Sequence, residues 1–160
     1  MDDVLSYATT LFNITAQTVV AVFTGSTGSA TRCVFANGTG NYYVGQTSGG
    51  VGFTSHSNAA STQRQASGPS VVGNSIVAYR FRLDGSDVYV SEFVNNNKAT
   101  TSWLADGMLA PAATTYYIGS LNVANYHNGN IFEVLVFNRD LLDREIMQLI
   151  QSLRDYWGNF

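Results

Sequence analysis

The stretch that most constrains this chain is Ile131-Phe-Glu-Val-Leu-Val-Phe137, followed by Asn138-Arg139-Asp140 and a helical pattern that runs to Trp157. Side chains alternate faces along a strand, so Ile131, Leu135 and Phe137 point one way while Phe132, Val134 and Val136 point the other. Both faces are apolar, and such a strand needs a cover on each. Leu142, Ile146, Leu149, Ile150, Leu153 and Trp157 fall at helical spacing, which gives the next segment one apolar stripe. The pattern predicts a strand buried between a β-sandwich core and a C-terminal helix spanning about 142–157. Gly158 suits a left-handed cap on that helix.

Upstream, short strand patterns follow one another. Val4–Tyr7 is a short candidate, and Asn13–Thr15 reads as a turn. Gln17–Thr24 is β-branched and apolar on both faces. Arg32–Ala36, Tyr42–Gln46 and Gly50–Thr54 read as a meander divided by Gly-rich turns. His56–Ser70 is the longest polar stretch, either a long loop or an edge strand flanked by loop. Ser75–Leu83 alternates, with Val77, Tyr79, Phe81 and Leu83 on one face and Arg80 and Arg82 on the other. Asp84-Gly85 signals a hairpin into Val88–Phe93, and Asn95–Asn97 tolerates the left-handed geometry of a turn. Lys98–Ala113 reads as loop around Trp103 and Pro111. Many short strands and then one helix, with no βαβ alternation, predict an all-β, two-sheet antiparallel jelly-roll sandwich with one C-terminal α-helix packed on it. No repeat or linker interrupts it, so residues 1–160 are expected to form one domain.

Composition narrows the function. Charged residues make up only 12% of the 160, and polarity comes mostly from Ser, Thr, Asn and Gly. That mix suits tight turns and is common in secreted and virion proteins. Net charge is −3 and no run of basic residues stands out, so nucleic acid is not an expected partner. Cys33 has no second cysteine to pair with and reads as a small buried hydrophobe. Met1-Asp2-Asp3 lacks the basic start of a signal peptide, and no apolar run is long enough to span a membrane. The expectation is a virion or extracellular surface domain, made without a leader or cut from a longer exported protein.

The last quarter of the chain resembles the C-terminal end of laminin-G-like jelly rolls, within the concanavalin A-like lectin/glucanase superfamily. The resemblance rests on Ile118-Gly119, Asn128-Gly129, Ile131, Glu133, Val134, Val136, Phe137, Asn138-Arg139 and Asp143-Arg144-Glu145-Ile146. Two positions depart from the pattern. His127 stands where an aromatic anchor is usual, and Leu142 stands where a capping serine is usual, which leaves Asp140 or Asp143 to cap the helix. The resemblance implies a recognition module without naming its ligand.

Glycoside hydrolysis needs two carboxylates across one cleft. The glucanase motif of that superfamily, Glu-x-Asp-x-x-Glu, is missing here, and the strand carboxylates Glu92 and Glu133 are isolated. Glu133 reads as a structural partner for Arg139 or a backbone amide. Neither a nucleophile elbow nor a His or Cys metal spacing is present, so no enzyme is expected. No cofactor is expected; calcium, which needs several oxygen ligands, would have to come from Asp84, Asp87 and the Asn-rich loops, although Asp84–Asp87 reads more simply as a turn.

Sugar sites pair an aromatic platform with amide hydrogen-bonders. The loop Asn122–Asn130 has that composition, in Asn125, Tyr126, His127 and Asn128. Trp103, Asp106, Asn95 and Asn96 are candidate neighbours. The competing reading is that Tyr126 and Trp103 cover the sandwich edge while the asparagines make turns. His127 titrates near neutrality when unperturbed, so a ligand on it would bind with a pH dependence between about 5 and 8. The face carrying Arg80 and Arg82 is the fallback site. Candidate partners are a glycan or a protein surface, including capsid or tail proteins, or a second copy of this chain. A glycan-binding surface module and a structural virion protein acting by docking are both compatible with these features.

Overall fold

Strand β2 (Ala16–Gly25) is the centre of the molecule, buried along nearly its whole length. In the computed structural model the described residues are 5–9, 16–27, 31–37, 42–47, 49–57, 63–85, 87–104, 114–120 and 125–158. Besides β2 they form β1 (Leu5–Thr9), β3 (Arg32–Asn37), β4 (Tyr42–Gln46), β5 (Val51–Ser57), β6 (Gln63–Ser70), β7 (Gly73–Asp84), β8 (Asp87–Val94), β9 (Asn97–Leu104), β10 (Thr114–Ile118), β11 (Ile131–Phe137) and helix α1 (Asp143–Trp157). One antiparallel sheet runs β1-β10-β3-β4-β5-β6 and the other β11-β2-β7-β8-β9. This is the expected two-sheet jelly-roll sandwich with a C-terminal helix.

Alternation along β2 divides the core in two. Val19, Ala21 and Phe23 point into the space between the sheets, with Val34, Val44, Val77, Tyr79, Phe81 and Val90. Val20 and Val22 point the other way, with Ile76, Ala78 and Phe93, and α1 covers them through Ile146, Ile150 and Leu153. β2 is fully covered on both faces, and its edge neighbour β11 is half-buried on both, against the inter-sheet core and against α1. A bulge between Ile131 and Glu133 shifts the register there. It puts Ile131 on the sandwich side with Val134 and Val136, while Leu135 and Phe137 face the helix, so strict alternation misplaced Ile131.

The helix start also differs from expectation. Leu142 is 67% exposed and Leu141 takes the buried place. The first turn is capped by Glu145, whose carboxylate accepts the Leu142 N–H at 2.7 Å, rather than by Asp140 or Asp143. Gly158 closes the helix at φ 67°, with its N–H on the Arg154 carbonyl. Glu133 serves neither Arg139 nor a backbone amide: it accepts the Trp157 indole N–H at 3.0 Å, and Arg139 pairs with Glu145 instead.

Of the two alternatives for His56–Ser70 the edge strand holds, and the segment from Lys98 that read as loop is a strand to Leu104. β6 takes the second half of the polar stretch after His56 and forms an edge of the six-stranded sheet. β9 runs through Trp103 and forms an edge of the other sheet. Asn95 and Asn96 lie at φ 47° and 45°, the left-handed turn expected of them. Cys33 is fully buried. The Asn13–Thr15 turn, Asp106 and Pro111 lie outside the described residues.

Candidate functional site

On the outer face of the five-stranded sheet, β7 presents Ile76, Ala78, Arg80 and Arg82 in succession, and β8 presents Phe93, Ser91 and Tyr89. α1 covers the apolar end of this face. Beyond the start of the helix the same face turns polar and stays open. The result is a pocket of about 340 Å³ lined by Arg80, Arg82, Tyr89, Ser91, Lys98, Leu142 and Asp143.

The ladder assembles this site. Arg80 stands opposite Ser91, and Arg82 opposite Tyr89. Lys98 stands opposite Phe93 on the next strand. Three of the chain's eight Lys and Arg residues thereby meet in one concavity of a chain with net charge −3. The sequence showed no basic cluster because residues 80, 82 and 98 become neighbours only through cross-strand pairing.

Each cation is held differently. Arg80, with a side chain 13% exposed, contacts Asp143 at 2.6 Å, donates to the Leu141 carbonyl at 2.9 Å and reaches Ser91 Oγ at 3.4 Å. Its guanidinium also lies 5.5 Å from the centre of the Phe93 ring. Lys98 contacts Asp143 at 3.1 Å and stands 5.7 Å from the same ring. Arg82 is exposed and lies over the Tyr89 ring at 5.4 Å. Among the described residues it makes no ion pair. Partial burial raises the Asp143 carboxyl, but the hydrogen bonds from Lys98 and Arg80 outweigh it and hold the group below the usual carboxylate range.

The loop 125–130 lies elsewhere, next to the far end of β2. The Asn125 carbonyl accepts the Cys33 N–H, His127 N–H reaches the Gly119 carbonyl at 2.7 Å, and the Asn130 carbonyl accepts the Thr24 N–H. Ser26 Oγ donates to the Asn128 carbonyl. The loop backbone is thus tied to both sheets. Tyr126 and Asn128 face outward, whereas His127 turns in and meets the Phe23 ring edge-on at 5.4 Å. His127 thus packs as an aromatic ring does. Burial lowers its imidazole from the ordinary histidine value, helped by Arg32. Neither ring nitrogen makes a well-formed hydrogen bond among the described residues, although the nearby Thr24 and Asn130 backbones offset part of the fall. Gly129 is required here because a β-carbon would come within 2.2 Å of the Thr24 carbonyl oxygen.

The structure places the Asn95–Asn96 turn beside Ile76, at the same end of the sandwich as residues 125–130, and Trp103 towards the other end. Asn95 spends its side chain on the Ile76 N–H, and Asn96 donates to Gln151 of the helix. Trp103 stands opposite Tyr89, on the strand that borders the pocket. Six residues of β9 separate it from Asn97, roughly 20 Å at about 3.3 Å each. Thr18, opposite Arg80, and Phe23, beneath His127, are five residues apart on β2, roughly 17 Å. Asn122–Ala124 lie outside the described residues.

Glu92 and Glu133 do not form a pair. Glu92 stands opposite Tyr79 and faces the inter-sheet core, fully buried, and burial pushes its carboxyl up to about 8. Glu133 faces the helix. Among the described residues, no three His, Cys, Asp or Glu side chains come together in a metal-binding group, and no helix is long and apolar enough to cross a membrane.

No protein-family model matches the chain, and no curated protein does. Solved structures do. The CBM40 of a Ruminococcus gnavus IT-sialidase, bound to α2,3-sialyllactose, is similar at TM-score 0.67 and 15% identity, over 86% of this chain and 83% of that one. A heptameric SAP-like pentraxin from Limulus polyphemus matches at TM-score 0.61 and 16% identity, over 92% and 75%. The receptor-binding domain of botulinum neurotoxin D matches at TM-score 0.68 and 10% identity, over 94% of this chain and 42% of that one. The chain shares the two-sheet β-sandwich fold of these domains.

Proposed function

We propose that this chain is a non-catalytic glycan-recognition module that acts at an extracellular or virion surface. The observation that carries the reading is the open pocket on the five-stranded sheet, where guanidinium, ammonium, phenol and hydroxyl groups converge on a space the size of a small ligand site. Such groups bind sugar hydroxyls and acidic substituents. Glu92 and Glu133 point to opposite faces of their sheet, so these two supply no acid and nucleophile to one cleft. The likeness to a carbohydrate-binding module solved with sialyllactose supports the same class. The test is a glycan array probed with the purified chain, with reducing-end release measured in parallel. Selective binding without release is the expected result; an array with no binding above background would overturn it.

A second reading is docking to a protein surface, such as a capsid or tail component. Its specific support is the aromatic ridge at the end of α1, where Tyr156 is 77% exposed beside Trp157 and Phe132. Sizing the chain with its candidate partner, before and after Tyr156→Ser, tests it.

A further inference from the structure

We propose that the pocket selects an acidic sugar, with Arg82 and Lys98 binding the ligand's carboxylate or sulfate and Asp143 acting as a built-in competitor for the same cations. This inference rests on the glycan-binding reading and names its ligand class.

Charge provides the first argument. Arg80, Arg82 and Lys98 line the pocket against the single carboxylate of Asp143. Asp84 and Asp87 stand next along the β7–β8 hairpin, and neither forms an ion pair with Arg82. The lining itself therefore carries two positive charges in excess, partly offset by Asp84 and Asp87 at its edge, and a pocket wall that excludes part of the solvent strengthens its pull on an anion. A neutral sugar would leave that charge unanswered.

Geometry assigns the roles. Arg80 is committed to the Leu141 carbonyl, Ser91 and Asp143, so it belongs to the floor. Arg82 is exposed and held over the Tyr89 ring, which leaves the edge of its guanidinium free for the two-pronged contact that carboxylates and sulfates accept. Lys98 meets Asp143 at 3.1 Å with both side chains about half exposed, an arrangement that an incoming anion can reorganise at low cost. The Asp143 carboxylate already occupies the position relative to Arg80 and Lys98 that a ligand carboxylate would seek. It lowers affinity for every anion and sets a threshold against weak ones.

Calorimetric titration with α2,3-sialyllactose, lactose 3′-sulfate and lactose tests the proposal, using the full chain. The wild type should bind at least one acidic sugar about tenfold or more tightly than lactose, with affinity falling as salt rises. The sialylated and sulfated arms tell a carboxylate site from a sulfate site. Arg82→Gln and Lys98→Gln, both at exposed positions, should each weaken acidic-sugar binding by about tenfold; Arg82→Gln should leave the melting temperature unchanged, and Lys98→Gln, which loses an exposed pair with Asp143, should lower it only slightly. Asp143→Asn should tighten it a few-fold, a gain that a purely structural aspartate would not give. Equal binding of lactose and the acidic sugars, unmoved by Arg82→Gln, would overturn the inference while leaving the module a glycan binder. Binding of none of the three, with a blank array, would overturn both. A single-stranded oligonucleotide binding as tightly as the acidic sugars would make this a phosphate site and also defeat the proposal.

Discussion

Arg80 Nη1 meets the Asp143 carboxylate at 2.6 Å and donates to the Leu141 carbonyl at 2.9 Å. One strand residue thus fixes the place where the helix begins. Arg80→Met would leave the Leu141 carbonyl without that donor and Asp143 with Lys98 alone. The expected loss is about 1–3 kcal/mol in urea melts. Arg80→Lys should fall between, because an ammonium lacks the planar fork that reaches Leu141, Ser91 and Asp143 together. A neutral Arg80→Met would show that the helix start is held by packing alone.

Ile150 is fully buried between α1 and the outer face of the five-stranded sheet. Ile150→Ala should cost roughly 2–5 kcal/mol of stability. A loss below about half a kcal/mol would mean that the helix is not docked on Val20, Val22 and Ile76.

Glu92 gives the fold a pH dependence of definite sign. Burial raises its carboxyl from the ordinary value of 4.5 to about 8, so the folded state binds the proton more tightly than the unfolded chain. The associated stability is complete below about pH 4.5 and is lost as pH rises to about 8. Each tenfold gain in proton affinity corresponds to about 1.4 kcal/mol, so the full effect is on the order of several kcal/mol. Glu92→Gln should abolish this slope, and its melting temperature relative to wild type should be higher at pH 8 than at pH 5. Parallel melting curves for the two proteins across that range would refute the assignment.

The indole of Trp157 ties the end of the helix to β11 through Glu133. Trp157→Phe keeps a ring against Phe132 but removes the donor. A loss of about 0.5–1.5 kcal/mol is expected, and Glu133→Gln combined with it should add little more. Full additivity of the two changes would indicate that they do not act as a pair.

The helix and its stripe were legible because Ile146, Ile150 and Leu153 share one face over about two turns. The hairpins at Asp84–Gly85 and Asn95–Asn96 were legible because their turn residues carry the required backbone geometry. β9 was not, because Lys98-Ala-Thr-Thr-Ser102 has no apolar alternation and resembles the polar loops around it. Ile131 was misplaced because a bulge breaks the two-residue period without leaving any mark in the sequence.

The site was only half legible. Arg80 and Arg82 were visibly on one strand face, but Lys98 joins them through β8–β9 pairing, and Asp143 arrives from a helix 61 residues beyond Arg82. Tyr126, His127, Asn125 and Asn128 drew attention by composition, which does not distinguish a ring that binds from a ring that packs. His127 packs on Phe23, and burial lowers its imidazole from the ordinary histidine value.

Backbone amide shifts recorded by NMR while α2,3-sialyllactose or lactose 3′-sulfate is titrated into the labelled chain tell the sheet pocket from the loop. The moving resonances should cluster on Arg82, Tyr89, Ser91, Lys98 and the first turn of α1, with residues 125–130 unmoved. Shifts confined to Tyr126–Asn130, or no saturable shifts with either sugar, would contradict the sheet pocket as the binding site.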